Sequence, residues 1–472
     1  EYLLSCLERL QKVLSAASLP SLFNHLESVA KQKGLDTHLS PTSTACYITS
    51  DLFYLEIQIE PDGHVIDVII AHHGETPESC EELVQLLRMK NFDDFAKSLE
   101  GLSNLYQVPG DRKIKTKVYQ VLKSLEMDLN TMADMYRFRK SNADRVTTIL
   151  QGPVGYFVPR NGGNPTTLEY FISPYDQLEK RLEPGTIIIF SSTAQISGMK
   201  VFVTVEGIST SCKLPITPLI QNSQQDIDRG IPTFAPLTEE VNNELPACFF
   251  LKFPEPFPML IDLIQKIQNL TGLSVMEQSA SVSFYELLAK SEMKSPIDPN
   301  KILNLFQMHV ILYNLHHSYV LYMDKEKPLL GTLVSKIPFT HPMQVSSILD
   351  ILRHQAAYNL LVGSCISEKR TKNAAPELHH FEVHSLNGTS FSVSFWHPFS
   401  DNLTHVVFDV LNSRQISCEL HTEPAAAASL GCSEEFISRV VHYCMSIPIT
   451  MRAILKKAAK IPEDCNMLTE TV

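Results

Sequence analysis

Residues 245–258 read LPACFFLKFPEPFP, an apolar run that meets three closely spaced prolines and then gives way to an amphipathic pattern. Proline has no amide hydrogen and biases the residue before it away from helix, so the string predicts a strand stopped at a corner with a helix beyond it. The same arrangement returns further along. Phe253-Pro254 with Pro258 is matched by Ile337-Pro338 with Pro342, the same Φ-P-x-x-x-P string after a second strand-like run. Past the first corner, Phe257, Leu260, Leu263, Ile264, Ile267 and Leu270 fall on one helical stripe with Gly272 as a left-handed stop. Past the second, Val345, Ile348, Leu349, Leu352, Ala356 and Leu360 do the same with Gly363 as the stop. The second interval is longer by about two helical turns, which keeps the stripe in phase. One unit of strand, corner and helix is thus used twice.

Around this pair the chain divides into three regions, 1–145, 146–295 and 296–472. The first opens with helices broken at Pro20, carrying Leu3, Leu7, Leu10 and Leu14 on one stripe and Leu22, Leu26 and Val29 on the next, and ending at Gly34. Residues 45–59 alternate, with Phe53, Leu55, Ile57 and Ile59 on one face, and turn at Pro61-Asp62-Gly63 into a strand over 64–71. Helical patterns cover 78–90, 92–106 and about 112–140. From residue 152 short strands alternate with turn formers such as Asn161-Gly162-Gly163, and 221–244 reads as a long polar loop. The third region opens with a hairpin over 306–323 and follows its helix with strands at 391–395, 404–410 and 415–420. Ser433 is the N-cap for a last helical segment broken at Pro448. Helices beside antiparallel strands in every region predict an α+β fold of several small sheets rather than a doubly wound parallel sheet.

A length of 472 residues with 44% apolar side chains supports a large core divided among more than one domain. The formal charge of -12 works against direct nucleic-acid binding. The basic groups Arg112, Lys113, Lys115 and Lys117, then Arg137, Arg139 and Lys140, then Lys456, Lys457 and Lys460 read as solvated helix faces. The ten cysteines include no C-x-x-C pair, so neither a zinc site nor a redox motif is spelled out, and a reducing compartment is expected. No apolar run reaches the ~18 residues of a membrane span. The chain opens at Glu1 inside a helical pattern without methionine, so a preceding natural segment is expected.

Signatures for nucleotides, hydrolases and metals are missing: there is no G-x-G-x-x-G, P-loop, G-x-S-x-G or H-E-x-x-H. No catalytic, cofactor-binding or metal-ligating residue is therefore assigned. The pairs His72-His73, His316-His317 and His379-His380 point to opposite faces of a strand and are poor joint ligands. Leu83-Val84-Gln85-Leu86-Leu87 is a formal LxxLL box, the helix-in-groove ligand of nuclear receptors, but Leu83, Leu86 and Leu87 are also what a core-facing helix shows.

The strand, corner and helices resemble the RWD and ubiquitin-conjugating superfamily at the level of fold. His341-Pro342 is followed by Met343 and lacks the asparagine and nearby cysteine that conjugation requires. A longer resemblance is carried by CYITSDLFY at 46–54, AHHGE at 71–75, NLYQVPGD at 104–111, LPACFFLKFPEPFP at 245–258, GTLVSKIPF at 331–339, LVGSC at 361–365 and CMSIPITMRAI at 444–454. These strings are similar, in order, to the conserved N-terminal region of the Mediator of RNA polymerase II transcription subunit 1 family, including its subunit 1-like paralogues. The resemblance implies a nuclear, non-enzymatic coactivator subunit that needs no cofactor and docks on the Mediator middle module. It further implies a tail, absent from this sequence, that carries the boxes for nuclear receptors and other activators. The stripe Leu3, Leu7, Leu10 and Leu14 is the candidate partner surface, although it suits an intramolecular core equally well. The rival readings are a free-standing receptor-binding module using 83–87 and an uncharacterised enzyme.

Overall fold

The computed structural model describes residues 19–42, 44–141, 143–179, 198–220, 232–238, 242–275, 281–292, 305–312, 315–322, 328–366 and 378–459. Helix α1 (Leu19–Gln32) buries Leu22, Leu26 and Ala30 and is followed by Gly34 at φ 69°. Strands β1 (Asp36–Leu39), β2 (Ala45–Thr49), β3 (Phe53–Ile59), β4 (Val65–His72) and β5 (Glu78–Ser79) form an antiparallel sheet in sequential order. The alternating run 45–59 is a hairpin rather than one strand, and Phe53, Leu55, Ile57 and Ile59 are its buried face. Helices α2 (Glu81–Arg88) and α3 (Phe92–Asn104) pack with α1 and this sheet in one hydrophobic core. The long helix α4 (Arg112–Arg139) starts where Asp111 accepts a hydrogen bond from the Ile114 amide at 2.9 Å.

After α5 (Arg145–Gln151) come β6 (Tyr156–Val158), β7 (Thr167–Phe171), α6 (Pro174–Glu179), β8 (Met199–Pro215), β9 (Asn242–Leu260), α7 (Ile261–Thr271), β10 (Val282–Ser283) and α8 (Phe284–Glu292). The hairpin β11 (Leu305–Leu312) and β12 (Leu315–Tyr322), then β13 (Leu330–Phe339) and α9 (Pro342–Gly363), follow. The chain continues through β14 (Leu378–Ser385), β15 (Ser390–Trp396), β16 (Leu403–Asn412) and β17 (Gln415–His421) to α10 (Pro424–Leu430), α11 (Glu434–Cys444) and α12 (Ile447–Ala458). The second sheet has the order β10-β13-β9-β8-β7-β6 and the third β11-β12-β14-β15-β16-β17. Every pairing is antiparallel except β12 with β14, so the fold is α+β.

The two corners differ from expectation in an informative way. Strand β9 does not stop at its prolines; it runs on to Leu260. Its partner β13 pairs Lys336 with Lys252 and Val334 with Phe257, so Phe253–Pro256 bulge away from the ladder. On the other side the β8 ladder begins at Phe202 opposite Lys252. Pro254 and Pro256 therefore sit where neither neighbour asks for an amide hydrogen. Phe257 belongs to the strand, Leu260 is the N-cap, and the α7 stripe reduces to Leu263, Ile264 and Ile267, with Leu270 exposed. Gly272 is the left-handed stop at φ 70°. At the second corner β13 ends at Phe339 and Pro342 opens α9, as the string predicts. Gly363 is the last helical residue, and the cap Ser364 is right-handed.

The two repeated strands β9 and β13 are neighbours in one sheet, drawn from either side of residue 295. A second, larger core gathers side chains from Val108 to Ala458, across the second and third sheets. Most of the polar run 221–244 lies outside the described residues.

Candidate functional site

Helix α4 belongs to both cores: Tyr119 faces the N-terminal one, while Val118, Val121 and Leu122 face the larger. The loop between β6 and β7 returns across this seam and clasps the N-terminal unit. A Cβ on Gly163 would lie 1.9 Å from the Ser98 carbonyl oxygen, and one on Gly101 would lie 2.0 Å from that of Gly163. Only glycine permits such backbone contact between loop and helix. Beside it Cys80 donates its S–H to Asn161 Oδ1 at 3.2 Å, and Asn164 Nδ2 donates to Glu82 at 2.6 Å.

Next to the glycines the seam carries a closed polar network. The Arg160 guanidinium spans both carboxylate oxygens of Glu126 and donates to the Tyr119 hydroxyl at 3.2 Å. Thr166 adds a bond to Glu126 at 2.7 Å. Tyr119 in turn donates to Glu75 at 3.0 Å, and Lys123 pairs with the same carboxylate. His72 bonds the Tyr106 hydroxyl at 2.7 Å and stacks on Tyr119. Burial opposes the charge on Arg160, but Glu126 and Tyr119 outweigh it and hold its pKa above the usual guanidinium range. Burial, followed by the Arg160 charge, lowers His72 to about 4, so its ring is neutral in the fold. A cleft of about 570 Å³ opens along the seam, with Asn104, Glu126, Arg160, Gly163, Glu206 and Lys252 in its wall.

The ionic groups of this cleft are matched to one another, which suits holding surfaces together. The buried thiols are poor nucleophiles. Desolvation pushes Cys46 and Cys418 to about 12 and raises Cys365 as well. Among the described residues no group of three or more His, Cys, Asp or Glu is placed to hold a metal ion, and no helix is long and apolar enough to cross a membrane.

The site residues proposed from sequence fall elsewhere. Leu83 and Leu87 are 1% and 2% exposed, and Leu86 packs half-buried against the same core. Gly162 of the clasping loop lies over Cys80 and Leu83. The three leucines of the LxxLL string therefore do not share an exposed face. Leu3, Leu7, Leu10 and Leu14 lie outside the described residues. Of the histidine pairs, His72 joins the seam while His73 faces solvent 3.4 Å from Arg112. His317 is buried against Tyr319 at 3.0 Å, and its neighbours His379 and His380 are half-exposed and exposed. The basic groups are paired in part: Lys117 donates to Asn243, Arg137 bridges to Asp134, and Lys457 lies over the Phe436 ring. Sequence reading marks Asn161-Gly162-Gly163 only as a turn, because the helix backbone that needs those glycines lies some sixty residues earlier.

Fold and seam together define an α+β protein in which one polar joint locks two cores, and the comparisons give that protein a family. The chain belongs to the Mediator of RNA polymerase II transcription subunit 1 family, whose sequence profile matches residues 4–367. The subunit 1 protein of Xenopus laevis is 44% identical over 483 aligned positions, covering 100% of this chain and 30% of the relative. That of Xenopus tropicalis is also 44% identical. The Drosophila melanogaster protein is 28% identical over 96% of the chain and 30% of its own length. The chain thus spans about 30% of the curated relatives it matches.

Proposed function

We propose that this chain is a folded, non-enzymatic docking region of a nuclear Mediator subunit, holding the rest of its protein on the complex. The observation that carries the reading is the match to subunit 1 proteins over the full chain. The physical chemistry agrees with it. The polar groups of the seam cleft satisfy one another, and the thiols that burial raises offer no activated nucleophile. The mechanism is effective concentration: a platform fixed on the middle module keeps an attached activator-binding tail close to the polymerase machinery, which raises occupancy without a new contact. The receptor-module reading requires Leu83 and Leu87 on the surface, and both are buried.

The test is purification of the tagged 472-residue chain from nuclear extract, beside a form lacking residues 1–18, which keeps the core helix α1, with bound proteins identified by mass spectrometry. Middle-module subunits on the intact chain and their loss on truncation support the reading and assign the contact to residues 1–18. A monodisperse chain that retains no Mediator subunit overturns it.

A further inference from the structure

The basic groups of the sequence occupy unlike places in their helices. Arg137, Arg139 and the cap Lys140 close α4, and Lys456 and Lys457 lie in the last turn of α12, where the helix dipole favours positive charge. Arg112, Lys113, Lys115 and Lys117 lie instead in the first turns of α4, the end at which the dipole disfavours it. Arg112 precedes Lys115 by one helical turn, as Lys113 does Lys117, so each pair also sets like charges side by side on the helix surface. Arg112, Lys113 and Lys117 are exposed and Lys115 is half-buried, while Val118 makes the contact with the core.

Among the described residues none of these four side chains has a carboxylate in ion-pair range. Arg112 meets His73, and Lys117 donates to the neutral amide of Asn243 at 3.0 Å. Asp111, the acid next to the group, is engaged as the cap by the Ile114 amide. Lys123, further along the same helix, shows the contrast, because Glu75 neutralises it. Stability gives no reason for four cations at the start of α4, whereas a negatively charged partner does.

We propose that the start of α4 is a docking surface for an acidic segment of another protein, whose carboxylates supply the missing ion-pair partners. The chemistry of the occupant follows from charge. The chain as a whole carries -12, so a long polyanion such as nucleic acid meets net repulsion wherever it runs past α4, while a short acidic peptide faces the cluster alone. The four side chains are spread over about 8 Å of helix axis, a span matched by about three extended residues. Contacts of this exposed kind associate quickly and weaken as salt rises. The surface makes no use of residues 1–18, so it stands apart from the contact proposed for them.

The experiment follows the fluorescence anisotropy of a labelled peptide of alternating Glu and Gly titrated with the 472-residue chain, beside a Gln-Gly counterpart. The Glu peptide should bind at least about tenfold more tightly at low salt, and the difference should shrink as salt is added. Lys113→Glu with Lys117→Glu should abolish that preference and, by placing acids where the dipole favours them, raise the melting temperature by about 1–2 °C. Arg139→Glu with Lys140→Glu, at the far end of the same helix, should keep the preference and lower the melting temperature. Carbodiimide crosslinking of the unsubstituted chain should join the peptide to Lys113, Lys115 or Lys117, a result that stands even if a variant folds poorly. An unchanged preference in the first variant, or crosslinks at Lys456 or Lys457 in place of α4, overturns the proposal. Tighter binding of a single DNA strand of equal charge, or self-association of the chain in place of peptide binding, overturns the assignment to an acidic protein segment. A lower melting temperature in the first variant overturns the premise that these charges stand against stability.

Discussion

The two strand-to-helix corners share a Φ-P-x-x-x-P string and lie in adjacent strands, yet their helices begin in different ways. At the second corner the solution is local. His341 Nδ1 accepts from the Met343 amide, and Gln344 accepts from the His341 amide, a capping box with Pro342 at the helix start. At the first corner the N-cap Leu260 has no side chain to offer. Its amide donates instead to Gln355 Oε1 at 2.8 Å, and the Pro258 carbonyl accepts from Asn359 Nδ2 at 2.9 Å, both from α9. The helix of one copy thus caps the start of the other. A repeated string fixes the same outline, but it fixes the hydrogen bonding only where the partners are close in sequence.

The strongest challenge to this comparison is removal of the polar side chains through which α9 reaches outward. Buried Arg353 donates to the carbonyls of Tyr170, Ile149 and Gly152. Replacement by methionine leaves those acceptors dry, and Arg353→Met should lower unfolding free energy by about 3–5 kcal/mol in urea melts. Gln355→Leu strands the Leu260 amide and Asn359 Oδ1, for an expected loss of about 2–3 kcal/mol, larger than any change at the self-capped corner. A result below about 1 kcal/mol would show that α7 does not depend on its borrowed cap.

The third effect is smaller and depends on pH. Burial lowers the pKa of His341, so the fold prefers the neutral ring that can accept from Met343. The unfolded chain then binds more protons, and this contribution is full above the ordinary histidine pKa of ~6.5 and lost as pH falls below it. His341→Asn keeps a capping oxygen and should flatten that part of the stability profile, while Gln355→Leu should leave its slope intact. The smallest change belongs to Pro256→Ala. The bulge asks nothing of that amide, so stability should move by less than about 1 kcal/mol by thermal melting.

Much of the outline was legible wherever cause and effect are near neighbours. The helical pattern from about 112 locates α4, Gly272 ends α7, Ser433 caps α11 by accepting from Phe436, and the alternation of β3 states its buried face. The end of β9 was not legible, because proline is excluded from a strand only where a neighbour requires its amide. The joint between the cores was equally hidden. Arg160 and Glu126 carry no spacing signal, and Gly163 is indispensable only because the Ser98 carbonyl stands against it. The LxxLL string shows the converse: a complete motif whose leucines are spent on the fold.

The position of β9 also bears on how the chain is made. Synthesis runs from the N-terminus, and β9 leaves the ribosome with β8 available on one side while its other partner, β13, is still to come. The stretch from Leu260 to Leu330 takes on the order of 10 s to translate at about 5–20 residues per second. Through that interval the apolar centre of the second sheet is an open edge, the geometry that recruits stray strands. The prolines at 254 and 256 sit on that edge and deny a passing strand continuous amides, so the string that first suggested a corner also guards the nascent protein.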